Sequence, residues 1–229
     1  MFGSVRLPLA VRYAEMLQTD GVVRGLIGPR EAPRIWDRHI LNSALMTPAL
    51  PDGAAVADIG SGAGLPGMVL AIARPDLRVT LIEPLLRRTT FLEEVVAALG
   101  LDNVTVARGK AELFHGKRTF DVVTARAVSA MERLVPWCMP LVAADGALTV
   151  MKGSSAADEL DSAAEVLAAW GCAPPEILEY DDPEAGSVRL VRVTWADEPR
   201  VSLRPSSASG QSRRRPPSSK RSKKQRRRT

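Results

Sequence analysis

Aromatic side chains make up only 4% of this 229-residue chain. Any flat ligand that is held by stacking must therefore rely on few rings or on arginine planes. The two cysteines, Cys138 and Cys172, have no Cys or His neighbour at metal-ligand spacing. No metal site is expected, and the usage suits a reducing cytoplasm. No stretch of about 18 apolar residues runs without charge, so no membrane span is expected. The amino terminus meets an acidic residue at Glu15 before any apolar core or small-residue cleavage site forms, so no secretion signal is expected. What remains, 45% hydrophobic and 25% charged, is the composition of an ordinary soluble, cytoplasmic domain.

One region lacks a whole sign of charge. Positions 200–229 hold 12 of the 31 Lys/Arg and none of the 26 Asp/Glu, leaving 19 basic against 26 acidic residues in positions 1–199, a net of −7. From Ser202 onward the chain is mostly Ser, Pro, Arg and Lys, with almost nothing to bury, so disorder is expected over 199–229. Such a tail is either a solubilising extension or a non-specific, salt-sensitive clamp on RNA phosphates.

The first fifty residues have helical periodicity. Val11, Ala14 and Leu17 share one face, and Ile35, Ile40, Leu41 and Leu45 share another, with breakers at Gly28-Pro29, Pro33 and Pro48. Beyond Gly53 five short apolar runs (AAVADIG, RVTLIEP, NVTVARG, FDVVTARA, GALTVMKG) alternate with helical segments, the last of them SAMERLVPWCMPLVAA. A further helix, AADELDSAAEVLAAW, precedes two antiparallel runs, PEILEYDD and SVRLVRVTW. Strands separated by helices predict a parallel sheet covered on both faces, hence an open, doubly wound α/β fold. The expected organisation is a helical extension over 1–50, the α/β domain over 51–198 and the basic tail over 199–229.

The turn DIGSGAGLPG (58–67) follows the first strand and opens a helix, where open parallel sheets bind ligands. Gly60, Gly62 and Gly64 permit a close backbone approach, and Pro66 suits a first helical turn. Gly62, Gly64 and Gly67 also spell the dinucleotide fingerprint, with Glu83 at its usual acidic position. Three features oppose that reading. The fingerprint begins after Gly60 has already closed the strand. Asp58 would set a carboxylate beside phosphates. Leu65-Pro66 occupies a helix start that should offer N–H groups to a pyrophosphate. A cationic, phosphate-free ligand fits better, and S-adenosylmethionine is one. Glu83, ending the second strand, is placed to accept hydrogen bonds from ribose hydroxyls, unless it is merely a solvated strand-end carboxylate. Ala111-Glu112 stand where a loop would pass the adenine, though a carboxylate at a helix start would also explain Glu112.

With FDVVTARAV added, these residues resemble the bacterial small-subunit (16S) ribosomal RNA guanine-nitrogen-7 methyltransferases, the glucose-inhibited division protein B family. The resemblance runs from about Arg34 to Gly153. It is carried by Gly64-Leu65-Pro66-Gly67, by RRTTFLEEV, by the Arg126-Ala127 pair and by WDRHILNS with Arg38 and His39. Asn42 stands where the family has Asp, so a role needing a carboxylate there does not carry over. The resemblance implies a class I S-adenosylmethionine-dependent methyltransferase fold, Rossmann-like, with an antiparallel last strand. It implies donor contacts at Gly60, Leu65, Ala111, Glu112 and Arg126, with Arg126 holding the donor carboxylate or an RNA phosphate. His39 is expected to be a core or capping group rather than a catalyst.

Guanine nitrogen-7 has a free in-plane lone pair and no proton to remove, so no general base is required and proximity and orientation suffice. The sequence lacks the Asn/Asp-Pro-Pro-aromatic motif of exocyclic-amine enzymes, having ARAVSA there. Cys138, in PWCMP, reads as packing rather than as the nucleophile of a carbon-5 enzyme. Arg34, Arg38, Arg87, Arg88, Arg126, Lys152 and the tail are the groups expected to meet RNA. The expected partner is the 16S RNA or small subunit, and the chain is expected to be a monomer. Two alternatives stay open here: a methyltransferase for a small molecule or protein on the same fold, and a non-catalytic RNA-binding assembly factor.

Overall fold

The computed structural model describes residues 1–126 and 129–200. The tail beyond Arg200, and Ala127 of the Arg126-Ala127 pair, lie outside the described residues. Seven strands form one sheet in the order β3-β2-β1-β4-β5-β7-β6. These are β1 Ala55–Ile59, β2 Arg78–Glu83, β3 Val104–Arg108, β4 Phe120–Thr124, β5 Val142–Lys152, β6 Glu176–Asp182 and β7 Gly186–Val193. The first five run parallel, and β7 lies antiparallel between β5 and β6. Strand order reverses between β1 and β4, so a crevice opens at their carboxyl ends.

The strands alternate faces. Val56, Val79 and Leu81 pack in one core with α3 (Gly67–Ala73), α4 (Leu86–Leu99) and the amino-terminal helices. Ala57, Ile82 and Val123 pack in the other, with α5 (Met131–Cys138) and the α6–α7 pair (Ala156–Ser162, Ala164–Trp170). Each fully buried aliphatic or aromatic side chain on these faces contributes roughly 1.5–3 kcal/mol. The sheet is thus apolar on both sides, as its short unalternating runs required.

Several local expectations are corrected. In α1 (Leu7–Met16) the buried stripe is Ala10, Tyr13 and Ala14, continuing to Leu17, while Val11 is 39% exposed. The stripe turns inward around Tyr13 because that ring fills the space beneath the glycine turn. The second amino-terminal segment is not a plain α-helix: a wide π-type stretch over Ile35–Leu41 leads into the short α2, Asn42–Ala44. Pro66 precedes α3 instead of occupying its first turn. The segment ending in PLVAA is helical only to Leu141, and Val142 already belongs to β5. AADELDSAAEVLAAW is two helices, broken at Ala163. Among the described residues no helix is long and apolar enough to cross a membrane.

Candidate active site

The glycine-rich turn is held from three directions. From below, Asp58 is fully buried, and its Oδ2 accepts the Gly67 N–H at 3.0 Å, securing the start of α3. A Cβ on Gly67 would stand 2.5 Å from Leu81 Cδ2 and 2.8 Å from Asp58, so the helix can approach the strands only through glycine. From β2, Glu83 is 1% exposed and accepts the Gly62 N–H at Oε2 and the Leu85 N–H at Oε1, each at 3.0 Å. From α1, the buried Tyr13 hydroxyl donates to the Ala63 carbonyl at 2.7 Å. Gly64 has φ +100°, and a Cβ there would lie 2.8 Å from that hydroxyl.

Asp58 therefore sits behind the turn. It lines neither of the cavities over it, and its carboxylate does not face the ligand side as the sequence had suggested. Its Oδ1 has no partner among the described residues. Burial pushes its pKa up to about 7, against the lowering from the Gly67 and Ser61 hydrogen bonds and the Arg126 charge.

A cavity of about 650 Å³ opens over the turn, lined by Gly60, Ser61, Gly62, Leu65, Glu83, Arg88 and Arg126, with Ile27 and His39 from the amino-terminal extension. Around Gly62, among the described residues beyond its chain neighbours, only the Gly60 carbonyl lies within 4 Å of where a Cβ would stand, so the space reaches the backbone itself. Sharing Gly60 and Pro84 with it is a slot of about 240 Å³ lined by Ile59, Ile82, Ala111, Glu112 and Trp137. Gly60, Gly62, Leu65, Glu83, Ala111, Glu112 and Arg126 thus converge on one contiguous space. Gly64 shapes the turn from the Tyr13 side. Sequence reasoning missed Trp137, which looked like one more apolar helix position, and Tyr13, whose only signal was being an aromatic on a helix face.

Arg126 follows β4 and reaches across the site into the amino-terminal helices. It donates to the Ser43 hydroxyl at 3.2 Å, to the Arg38 carbonyl at 3.0 Å and to His39 Nδ1. His39 Nδ1 accepts, so its proton sits on Nε2, which faces Glu31 Oε2 at 3.1 Å. Burial and the Arg126 charge lower the His39 pKa and keep the ring neutral. His39 is therefore a positioned hydrogen-bond partner at the cavity wall. Asn42 donates to the Ser187 carbonyl at 3.2 Å, a bond that an ionised Asp at this position would be unable to make.

Arg126 lines a further cavity of about 560 Å³ over the carboxyl ends of β4 and β5. Of the cations expected near RNA, Lys152 is largely buried, lines this cavity and is paired with Glu159, and Arg88 and Arg38 are paired with Glu83 and Glu31. Arg34 and Arg87 are exposed. Cys138 is fully buried and its thiol is pushed up to about 12, so it carries no nucleophilic thiolate.

A parallel sheet with its reversal at β1/β4, an antiparallel β7 and a glycine-turn cleft beside a small apolar slot define an S-adenosylmethionine-dependent methyltransferase. The same fold is found in the ribosomal protein L11 methylase of Lactobacillus delbrueckii subsp. bulgaricus, with a TM-score of 0.51 at 18% identity over 68% of this chain and 77% of that one. The family described as "GidB: rRNA small subunit methyltransferase G" matches residues 6–183, and the chain belongs to it. Its relatives include the "Ribosomal RNA small subunit methyltransferase G" of Nocardioides sp., 60% identical over 93% of this chain and 87% of that one. The protein of the same description from Thermobifida fusca is 50% identical over 90% of this chain and 88% of that one.

Proposed function

We propose that this methyltransferase acts on nitrogen-7 of a guanine in the 16S RNA of the small ribosomal subunit. One observation carries the reading: a single guanidinium, Arg126, lines both the cleft over the glycine turn and the cavity over β4 and β5. A donor in the first and a base in the second would meet beside it.

The residues present fit S-adenosylmethionine. The slot of Ile59, Ile82, Ala111 and Trp137 has the size and apolar lining for a purine ring, with Glu112 at its rim. After accepting from the Gly62 and Leu85 N–H groups and from Arg88, Glu83 has one acceptor position left for a ribose hydroxyl. Gly60, Gly62 and Leu65 leave room for the ribose and the methionine portion. Asp58 works from beneath, fixing the start of α3 and, in its ionised form, adding negative potential under a cationic ligand. Arg126 has five N–H donors and uses three within the protein, so it keeps donors for the carboxylate of the donor or a phosphate of the acceptor.

When bound, the donor supplies a methyl group on a sulfonium, activated for in-line displacement. The chain's own work is positional. Buried, hydrogen-bonded groups hold the two ligands in line and exclude water, and no side chain has to remove a proton from guanine nitrogen-7. The reading also places the protein in the cytoplasm as a monomer, with residues 51–198 as the methyltransferase domain, 1–50 as its helical extension and 199–229 as a tail on RNA phosphates. Mapping modified nucleotides in 16S RNA from cells with and without the protein tests it. One guanine should lose its nitrogen-7 methyl group without the protein, and an unchanged map would refute the assignment.

A further inference from the structure

The cavity over β4 and β5 holds an ion pair that the donor site does not use. Lys152 Nζ lies 2.6 Å from Glu159 Oε2, with the lysine side chain 8% and the glutamate 26% exposed. Nζ also donates to the Ser129 carbonyl at 2.9 Å. An ammonium has three protons, so among the described residues one is left for a ligand. Glu159 Oε1 meets only the Ser155 hydroxyl among the described residues, and that at 3.4 Å. A pair set this deep recovers little net stability after desolvation, so stability alone is a weak account of it. Glu159 is the one carboxylate among the described lining residues. Arg126 and Arg189 line the same cavity and suit a phosphate of the acceptor, whereas Glu159 adds what a phosphate has no use for, an acceptor for the N–H groups of a base.

A donor fixed beside an acceptor is the complement of guanine's Watson–Crick edge. There the O6 acceptor stands next to the N1–H and N2–H donors, while adenine presents a donor first and an acceptor second. Enzymes that act on a base taken out of its stack read it by that edge. We propose that Lys152 and Glu159 select the acceptor base: Nζ donates to O6, and Oε1 accepts from N1–H and N2–H. This rests on the guanine-nitrogen-7 reading and deepens it. Nitrogen-7 lies on the Hoogsteen edge, so the pair leaves its lone pair free for the methyl group.

The test uses the full chain and small subunits reconstituted on 16S RNA that carries either guanosine or inosine at the methylated position. Inosine lacks only the N2 amino group. The wild type should methylate inosine at least about tenfold less efficiently in kcat/KM. Glu159→Gln should lower kcat/KM on guanosine, mainly through KM, and treat the two bases alike within about threefold. Its donor affinity by calorimetry should match the wild type. Should this variant fail to fold, Glu159→Asp, which withdraws the oxygens by one methylene, must show the same narrowing. Equal methylation of both bases by the wild type overturns the proposal. So does a Glu159 variant that loses activity on both bases by one factor and keeps the ratio, since a purely structural latch behaves that way. A wild type that methylates no guanine nitrogen-7 at all is a different result, and removes the functional reading beneath.

Discussion

The Arg126 guanidinium donates to the Ser43 hydroxyl at 3.2 Å across 83 residues of chain, joining the end of β4 to the amino-terminal helices. With the Arg38 carbonyl and His39 as its other partners, this side chain both lines the site and holds the extension against it. Function and local stability share one residue here.

Arg126→Ala should abolish methylation in an assay of labelled methyl transfer to small subunits. It should also lower stability by about 1–3 kcal/mol, because it leaves part-buried partners unsatisfied. Arg126→Lys should recover some stability and little activity, since one ammonium cannot serve three partners in a forked arrangement. Near-normal turnover in the alanine variant contradicts the role given to this residue.

Tyr13→Phe keeps the packing beneath the turn and removes one hydroxyl. The Ala63 carbonyl is then left buried without its donor, at a cost of about 1–3 kcal/mol. Donor affinity by calorimetry should fall several-fold, since the turn loses its support from α1. Unchanged affinity and melting temperature would show that the hydroxyl is idle.

Asp58 makes stability depend on pH. Its folded pKa, about 7, lies above its ordinary value of 3.8. Folding then favours the protonated form, so its contribution is fully present below about pH 4 and is lost as pH rises towards 7. The span is at most about 4 kcal/mol for a shift of this size. Asp58→Asn keeps an acceptor for the Gly67 N–H and has no proton to lose. Chemical denaturation between pH 4 and 8 should give the variant a flatter curve than the wild type. Parallel curves would mean that Asp58 stays ionised throughout.

Removing the chain beyond Arg200 takes away 11 of the 12 basic residues of positions 200–229. Binding to small subunits should weaken and its salt dependence should flatten, because fewer counterions are released. The methylated nucleotide should stay the same. A new target site after truncation would mean that the tail directs specificity.

Much of this molecule is legible in its sequence. The five parallel strands and the late antiparallel pair follow from apolar runs that only a doubly covered sheet can bury, and the ligand turn follows from glycines at a strand end. The same reasoning failed for Asp58, because its position in the motif does not reveal which side of the turn its carboxylate faces. The sequence names Lys152 as a group to meet RNA but does not show that it is buried against Glu159, seven residues along the chain. Val11 and Tyr13 share a helix, and periodicity could not tell which of them would fill the space under the turn.

The succession of strands and helices along the chain, the ligand turn and the class of chemistry are short-range properties: they depend on side-chain period, on backbone freedom and on which groups a motif carries. What only the tertiary structure decided are contacts between distant segments: Arg126 with Ser43, Tyr13 with Ala63, Asn42 with Ser187. Each joins the amino-terminal helices to the sheet or its ligand turn, and each is a directional bond a few ångströms long. Such a bond exists only once both cores have packed and brought its two ends together.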